Sequence, residues 1–146
     1  MNPMKNTILI ICLSLFFSAC GSEQDQVDAL EKEVLALHDE VMPKLDDVMS
    51  LKARIATQIH RMDSLENEGI TGNKLAEERI KLNDITQKLT DSDEMMMNWM
   101  RNYKGDSAKK LKPEAAIQYF NTEKEKMLEV QNFTTKSIND AKAILN

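Results

Sequence analysis

Apolar side chains return every three or four residues from Val27 to Leu65, and this spacing constrains the fold more than any other feature of the chain. The positions are Val27, Leu30, Val34, Leu37, Val41, Leu45, Val48, Leu51, Ile55, Ile59, Met62 and Leu65. Such steps gather on one face of an α-helix, which repeats every 3.6 residues, whereas a half-buried strand needs strict alternation. About 40 residues of helix make a rod about 60 Å long at about 1.5 Å per residue. A rod with one apolar stripe needs partners to cover it. One proline falls inside the stripe, in His38-Asp39-Glu40-Val41-Met42-Pro43-Lys44. Pro43 cannot donate to the Asp39 carbonyl and crowds it, at about 3 kcal/mol in a straight helix. The stripe keeps nearly the same face on both sides. The expectation is therefore a kinked continuous helix, with two separate helices as the alternative.

Two further stripes can supply the cover. Glu68-Gly69-Ile70-Thr71-Gly72-Asn73 holds two glycines and a capping candidate, which marks a helix end, a turn and a new start. Leu75, Leu82, Ile85, Leu89, Met96, Trp99 and Tyr103 then follow a heptad-like seam, with Glu78 and Ser92 at its remaining steps. Asp91 and Glu94 stand at capping-box spacing, but the seam passes them in phase, so one helix is predicted to about Tyr103. Lys104-Gly105-Asp106 ends it. Pro113-Glu114 suits the first turn of a third helix, where a missing N–H costs nothing and an acid meets the dipole. That helix carries a patchier stripe: Ile117, Phe120, Met127, Val130 or Gln131, Thr134, Ile138, Ala141 and Leu145.

Three long helices with short connections predict an all-α fold, an antiparallel three-helix bundle with a long, Pro-kinked first helix, over residues 27–146. Folding about the two turns sets Tyr103 near Leu37, Trp99 near Val41 and Met96 near Lys44, with Ile117 and Phe120 beside Trp99 and Met96. One end of the bundle, the membrane-proximal one, thus collects His38, Met42, Pro43, Met95, Met96, Trp99, Met100, Ile117, Tyr119 and Phe120.

Composition agrees with one ordinary domain. The 146 residues are 42% hydrophobic and 29% charged, with four Gly and three Pro, which favours helix over a turn-rich β fold. The net charge of −5 is spread along the chain, so neither a nucleic-acid surface nor an acidic tail is indicated.

The first residues have a different purpose. Met1–Lys5 carries one cation, and Ile8–Phe17 is almost continuously apolar. Ten or so helical residues span about 15 Å, half of a bilayer core of about 30 Å, so residues 1–19 read as a signal peptide. The stretch ends in Phe17-Ser18-Ala19-Cys20-Gly21, which resembles the lipobox of bacterial lipoproteins, with Phe17 where Leu is commonest. An ordinary secretory signal with a chance cysteine is the alternative. With lipidation, Cys12 leaves with the signal peptide and Cys20 is acylated, so no free thiol remains as nucleophile or zinc ligand. Two or three acyl chains anchor a protein stably. The expected location is outside the cytoplasm, on a bacterial membrane, with the outer membrane favoured at its periplasmic face or at the cell surface. Residues 20–26 then form the lipidated cysteine and a polar tether. Glu23 and Asp25 loosely resemble the export signal of surface lipoproteins in Bacteroidota, and a plain linker is the equal alternative.

His38-Asp39-Glu40-Val41-Met42-Pro43-Lys44 and Met96-Met97-Asn98-Trp99-Met100-Arg101-Asn102-Tyr103, after a lipobox, resemble a group of small helical lipoproteins of Bacteroidota that often carry the label "viral A-type inclusion protein". The resemblance covers most of the chain after the signal peptide. It implies a helical envelope lipoprotein and no particular catalysis.

Chemical candidates are few. His38 and Met42, like Met96 and Met100, stand four residues apart on one helix face, and thioethers with an imidazole suit Cu(I). Packing of methionines around a proline kink and Trp99 is the favoured reading. Asp39, Glu40, Asp46 and Asp47 suit a solvated helix face, and His60 near Asp63 a surface site. No Ser or Cys nucleophile is paired with a base, and no phosphate loop is present. The sequence therefore predicts a non-enzymatic lipoprotein without a cofactor, small-molecule substrate or nucleic-acid partner. It would meet the membrane through its anchor and an envelope protein through its bundle, with extracytoplasmic copper binding by His38 and nearby methionines as the alternative.

Overall fold

Ser22 opens the first helix of the structure, a computed structural model that describes residues 22–145. Its hydroxyl accepts the Asp25 N–H at 3.1 Å while the Asp25 carboxylate accepts the Ser22 N–H at 2.8 Å, a reciprocal capping box. Helix α1 then runs Glu23–Val41. Glu23–Gln26, expected as part of a polar tether, are thus its first turn. The Ser-x-x-Asp spacing carries this information, but the apolar stripe starts only at Val27. Hydrogen bonding from the Ser22 hydroxyl, and next from its backbone, holds the Asp25 carboxyl below the usual carboxylate range. The expected signal peptide and Cys20 lie outside the described residues.

Helix α2 runs Lys44–Asn67. The two residues before it stay right-handed helical, Met42 at φ −51°, ψ −47° and Pro43 at φ −64°, ψ −25°. The Met42 N–H still reaches the His38 carbonyl at 3.0 Å. Beyond the proline the ladder tightens, with Leu45 N–H donating to Met42 at 3.1 Å and Asp46 N–H to Pro43 at 3.3 Å. These i→i−3 bonds have 3₁₀ spacing. Helices α1 and α2 together are one long bent helix with its kink at Pro43, and the buried stripe Val27, Val34, Val41, Leu45, Val48, Leu51, Ile55 and Met62 continues across the bend.

The turn after α2 is a Schellman motif. Gly69 has φ +82°, Ile70 N–H donates to the Leu65 carbonyl at 2.9 Å, and Gly69 N–H to Glu66 at 3.0 Å. Arg79 braces the turn by pairing with Asp63 at 2.5 Å and Glu66 at 3.1 Å. Helix α3 runs Asn73–Asn102 without a break at Asp91–Glu94. Its buried seam is Leu82, Ile85, Leu89, Ser92, Met96 and Trp99, and the Ser92 hydroxyl satisfies itself on the Lys88 carbonyl at 2.9 Å.

A short helix, α4 (Gly105–Ala108), precedes α5 (Pro113–Leu145). The patchiness of the α5 stripe has a simple cause. Along its seam the buried positions Ala116, Phe120, Glu123, Met127, Val130, Thr134, Ser137 and Ala141 alternate steps of four and three, and five of them are small or polar. Polar pairs join α5 to the bent helix in increasing order: Glu33 with Lys124, Glu40 with Gln131, Lys44 with Thr135 at 3.2 Å, and Asp47 with Lys142 at 3.1 Å. These helices therefore advance in the same direction. Exposed pairs of this kind contribute about 0–1 kcal/mol each, against about 1.5–3 kcal/mol for each fully buried Val, Leu, Ile, Phe or Met. The core holds the helices together, and the pairs select register.

The register between α3 and α5 differs from expectation. Tyr119 Oη accepts the Lys104 N–H at 2.6 Å, so the second turn of α5 is level with the end of α3. Trp99 shares a groove with Lys126, Glu129 and Val130, about two turns beyond Ile117 and Phe120. Residues 103–112 do not make a tight hairpin but follow α5 for several residues through α4, which displaces the two helices. Among the described residues, no helix is long and apolar enough to cross a membrane.

Candidate functional site

Three helices contribute to a row of rings at the α1–α4 end. Tyr103, the C-cap of α3, still donates its N–H to the Trp99 carbonyl at 2.9 Å, one turn back, so the two rings share a face, stacked with centroids 4.8 Å apart and planes at 29°. His38 from α1 tilts against Trp99 at 5.6 Å. On the other side Tyr119 from α5 lies 6.3 Å from Tyr103 and meets Phe120 edge-on at 5.3 Å. Such offset and edge-on arrangements suit the ring quadrupoles.

Gly105 makes the row possible. A Cβ there would lie 2.6 Å from Tyr103 Oη and 2.7 Å from Cζ, so only hydrogen fits beneath the ring. Burial first, and then the Glu31 carboxylate, Tyr119, Glu123 and Asp106, push the Tyr103 phenol far above its ordinary range. Tyr119 is raised too, by burial, against the lowering effect of its bond to Lys104. Both phenols stay protonated at neutral pH. Tyr103 Oη and Trp99 Nε1 are buried without a hydrogen-bond partner. Beside Tyr103, an open groove of about 430 Å³ is bordered by Glu31, Leu35, Gly105, Asp106 and Ser107. Lys109 Nζ bridges its two carboxylates, Glu31 at 2.9 Å and Asp106 at 3.5 Å.

The residues singled out from sequence divide here. His38 and Trp99 are brought into contact. Met96 is fully buried and belongs to the core, so it cannot form part of a surface; Met42 and Met100 pack half-buried against that core. Among the described residues, Met49 and Met97 are the exposed methionines. His38 Nδ1 is engaged with Asp39 Oδ1 at 2.9 Å. Glu40 and Asp47 face α5 through Gln131 and Lys142. His60 is exposed, 3.8 Å from an Asp63 that Arg79 already pairs. Among the described residues no three His, Cys, Asp or Glu side chains stand close enough to hold a metal ion.

Sequence reasoning missed the Tyr103–Gly105–Tyr119 contact and the buried Glu123, which accepts from Lys126 Nζ at 2.7 Å. Gly105 carries a signal, a glycine two residues after an aromatic, but a glycine there equally suits a helix end. The site offers rings, a charged rim and firmly held protons, which suits contact with another surface. Compared with known proteins, the chain matches no protein-family model, no curated protein and no solved structure.

Proposed function

We propose that this chain is an envelope lipoprotein, held to a bacterial membrane by acylated Cys20, whose helices form an antiparallel up-down-up bundle with a structural or protein-interaction role and no catalytic one. The observation that carries the reading is the capping box at Ser22, which starts the folded domain two residues after Cys20. The resemblance of the His38–Lys44 and Met96–Tyr103 stretches to small Bacteroidota lipoproteins supports the same reading. A copper site at His38 and Met42 fits less well, because His38 packs on Trp99 and commits Nδ1 to Asp39. The test is metabolic labelling with a clickable fatty acid. Wild type takes up label and Cys20→Ser does not; equal labelling of both refutes the reading.

A further inference from the structure

The linker between α4 and α5 reads Lys109-Lys110-Leu111-Lys112, and its last three residues are exposed, Leu111 to 51%. Its place along the bundle follows from the pairs Glu33–Lys124, Glu40–Gln131 and Lys44–Thr135, each joining residues 91 apart in sequence. Carried along two helices that run the same way, this offset sets Pro113 level with Ser22. Leu111 and Lys112 therefore lie just beyond the level at which α1 begins. Cys20 precedes Ser22 by two residues, which reach at most about 7 Å when extended. An acyl group on Cys20 would bring this linker against the bilayer surface.

We propose that Lys110-Leu111-Lys112 is a membrane contact, in which Leu111 enters the headgroup boundary, the two lysines meet anionic lipid phosphates, and the bundle is held in one orientation over the membrane. The proposal rests on anchoring at Cys20. Lys109 is not counted, because Glu31 and Asp106 already pair it. Glu23, Asp25 and Glu114 oppose the lysines from the first turns of α1 and α5. Asp25 is engaged in the capping box, and both helices direct positive N-terminal dipoles, each equivalent to about half a charge, toward this end. By the same offset Lys112, just ahead of α5, also stands further out than those acids. Each lysine near an anionic surface is worth about a fivefold gain in partitioning. Two cannot recruit a free protein, but they suffice to orient one whose tether supplies a high local concentration of surface.

The test uses the full chain, matured in a bacterial host and purified from membranes, with Leu111→Cys as the single free thiol carrying an environment-sensitive fluorophore. Mass measurement of the N-terminal peptide establishes acylation of Cys20 first. The protein is reconstituted into vesicles of phosphatidylcholine, alone or mixed with phosphatidylglycerol. Ile70→Cys, exposed at the opposite end, is the control. The expected result is a blue shift of emission at position 111 in phosphatidylglycerol vesicles, absent at position 70 and abolished by Lys110→Glu with Lys112→Glu. No shift on acylated protein overturns the contact and leaves the anchor standing. An unmodified Cys20 overturns the anchor and the contact with it. A shift equal in neutral vesicles, or growing with protein density as a protein–protein contact would, also overturns the proposal.

Discussion

Placing a methyl group under Tyr103 tests why Gly105 is glycine. Its φ lies outside the left-handed region, so conformational freedom is not the reason. The reason is space: a Cβ at Gly105 would sit 2.6, 2.7 and 2.8 Å from Oη, Cζ and Cε1 of Tyr103, against ordinary carbon contacts of about 3.5–4.0 Å. In Gly105→Ala the ring must retreat by about 1 Å to restore that spacing, yet Trp99 at 4.8 Å and Tyr119 at 6.3 Å confine it. Overpacking of this kind costs about 1–3 kcal/mol. Alanine in α4 returns about 0.5–1 kcal/mol of backbone entropy relative to glycine, so the single substitution shows only the remainder. A double-mutant cycle isolates the clash. A Tyr103→Ala background removes all three of these close atoms, and Gly105→Ala there becomes stabilising by about 0.5–1 kcal/mol. The coupling between the two positions is then about 1–3 kcal/mol. Urea denaturation of the four proteins, followed by far-UV circular dichroism, measures it without relying on Trp99 emission, which Tyr103 itself perturbs. A coupling under about 0.5 kcal/mol, within ordinary additivity error, would refute the reasoning.

Three other outcomes are expected. Burial keeps the Tyr103 phenol protonated in the folded state well above the value near 10 of an unfolded tyrosine. Its contribution is thus intact below about pH 10 and lost as pH rises from there toward the folded value. Tyr103→Phe should flatten this alkaline loss in melting temperature against pH and change little at neutrality, since Oη has no partner to lose; an unchanged alkaline slope contradicts the account. Trp99→Ala should cost about 3–5 kcal/mol, and His38→Ala about 0.5–1.5 kcal/mol through its ring contact, with thermal melts of both unaffected by Cu(I). A Cu(I) stabilisation that His38→Ala abolishes, about 2.7 kcal/mol at one hundred times the dissociation constant, would favour the copper reading instead. Gly69→Ala forces an L-residue into the left-handed region and should cost about 1–2 kcal/mol in the same denaturation assay; a neutral result would mean that the Schellman turn is not retained in solution.

Much of this architecture is local and can be read from the chain by itself. Helical periodicity is a property of neighbours, so the stripes from Val27 and from Leu82 are legible in the sequence alone, as are the stop at Gly69, the start at Pro113 and the bend at Pro43. Each depends only on backbone geometry within a few residues. The N-terminal limit of α1 is equally local, but Ser22 and Asp25 precede the apolar stripe, so periodicity alone starts the helix too late. Other features depend on residues distant in sequence. Glu123 and Ser137 occupy core steps because the seam of α5 faces α1–α3, not because their chemistry prefers burial. The level of α5 against α3 is set by Tyr119 meeting the backbone of Lys104 and by Gly105 admitting the Tyr103 ring. A linker's residue count does not encode such contacts. His38 and Trp99 are 61 positions apart, and only the packing of α3 against the bent helix makes them neighbours. Helix formation averages over many weak local preferences, whereas register is decided by a few close contacts whose partners are fixed only when the chain has packed.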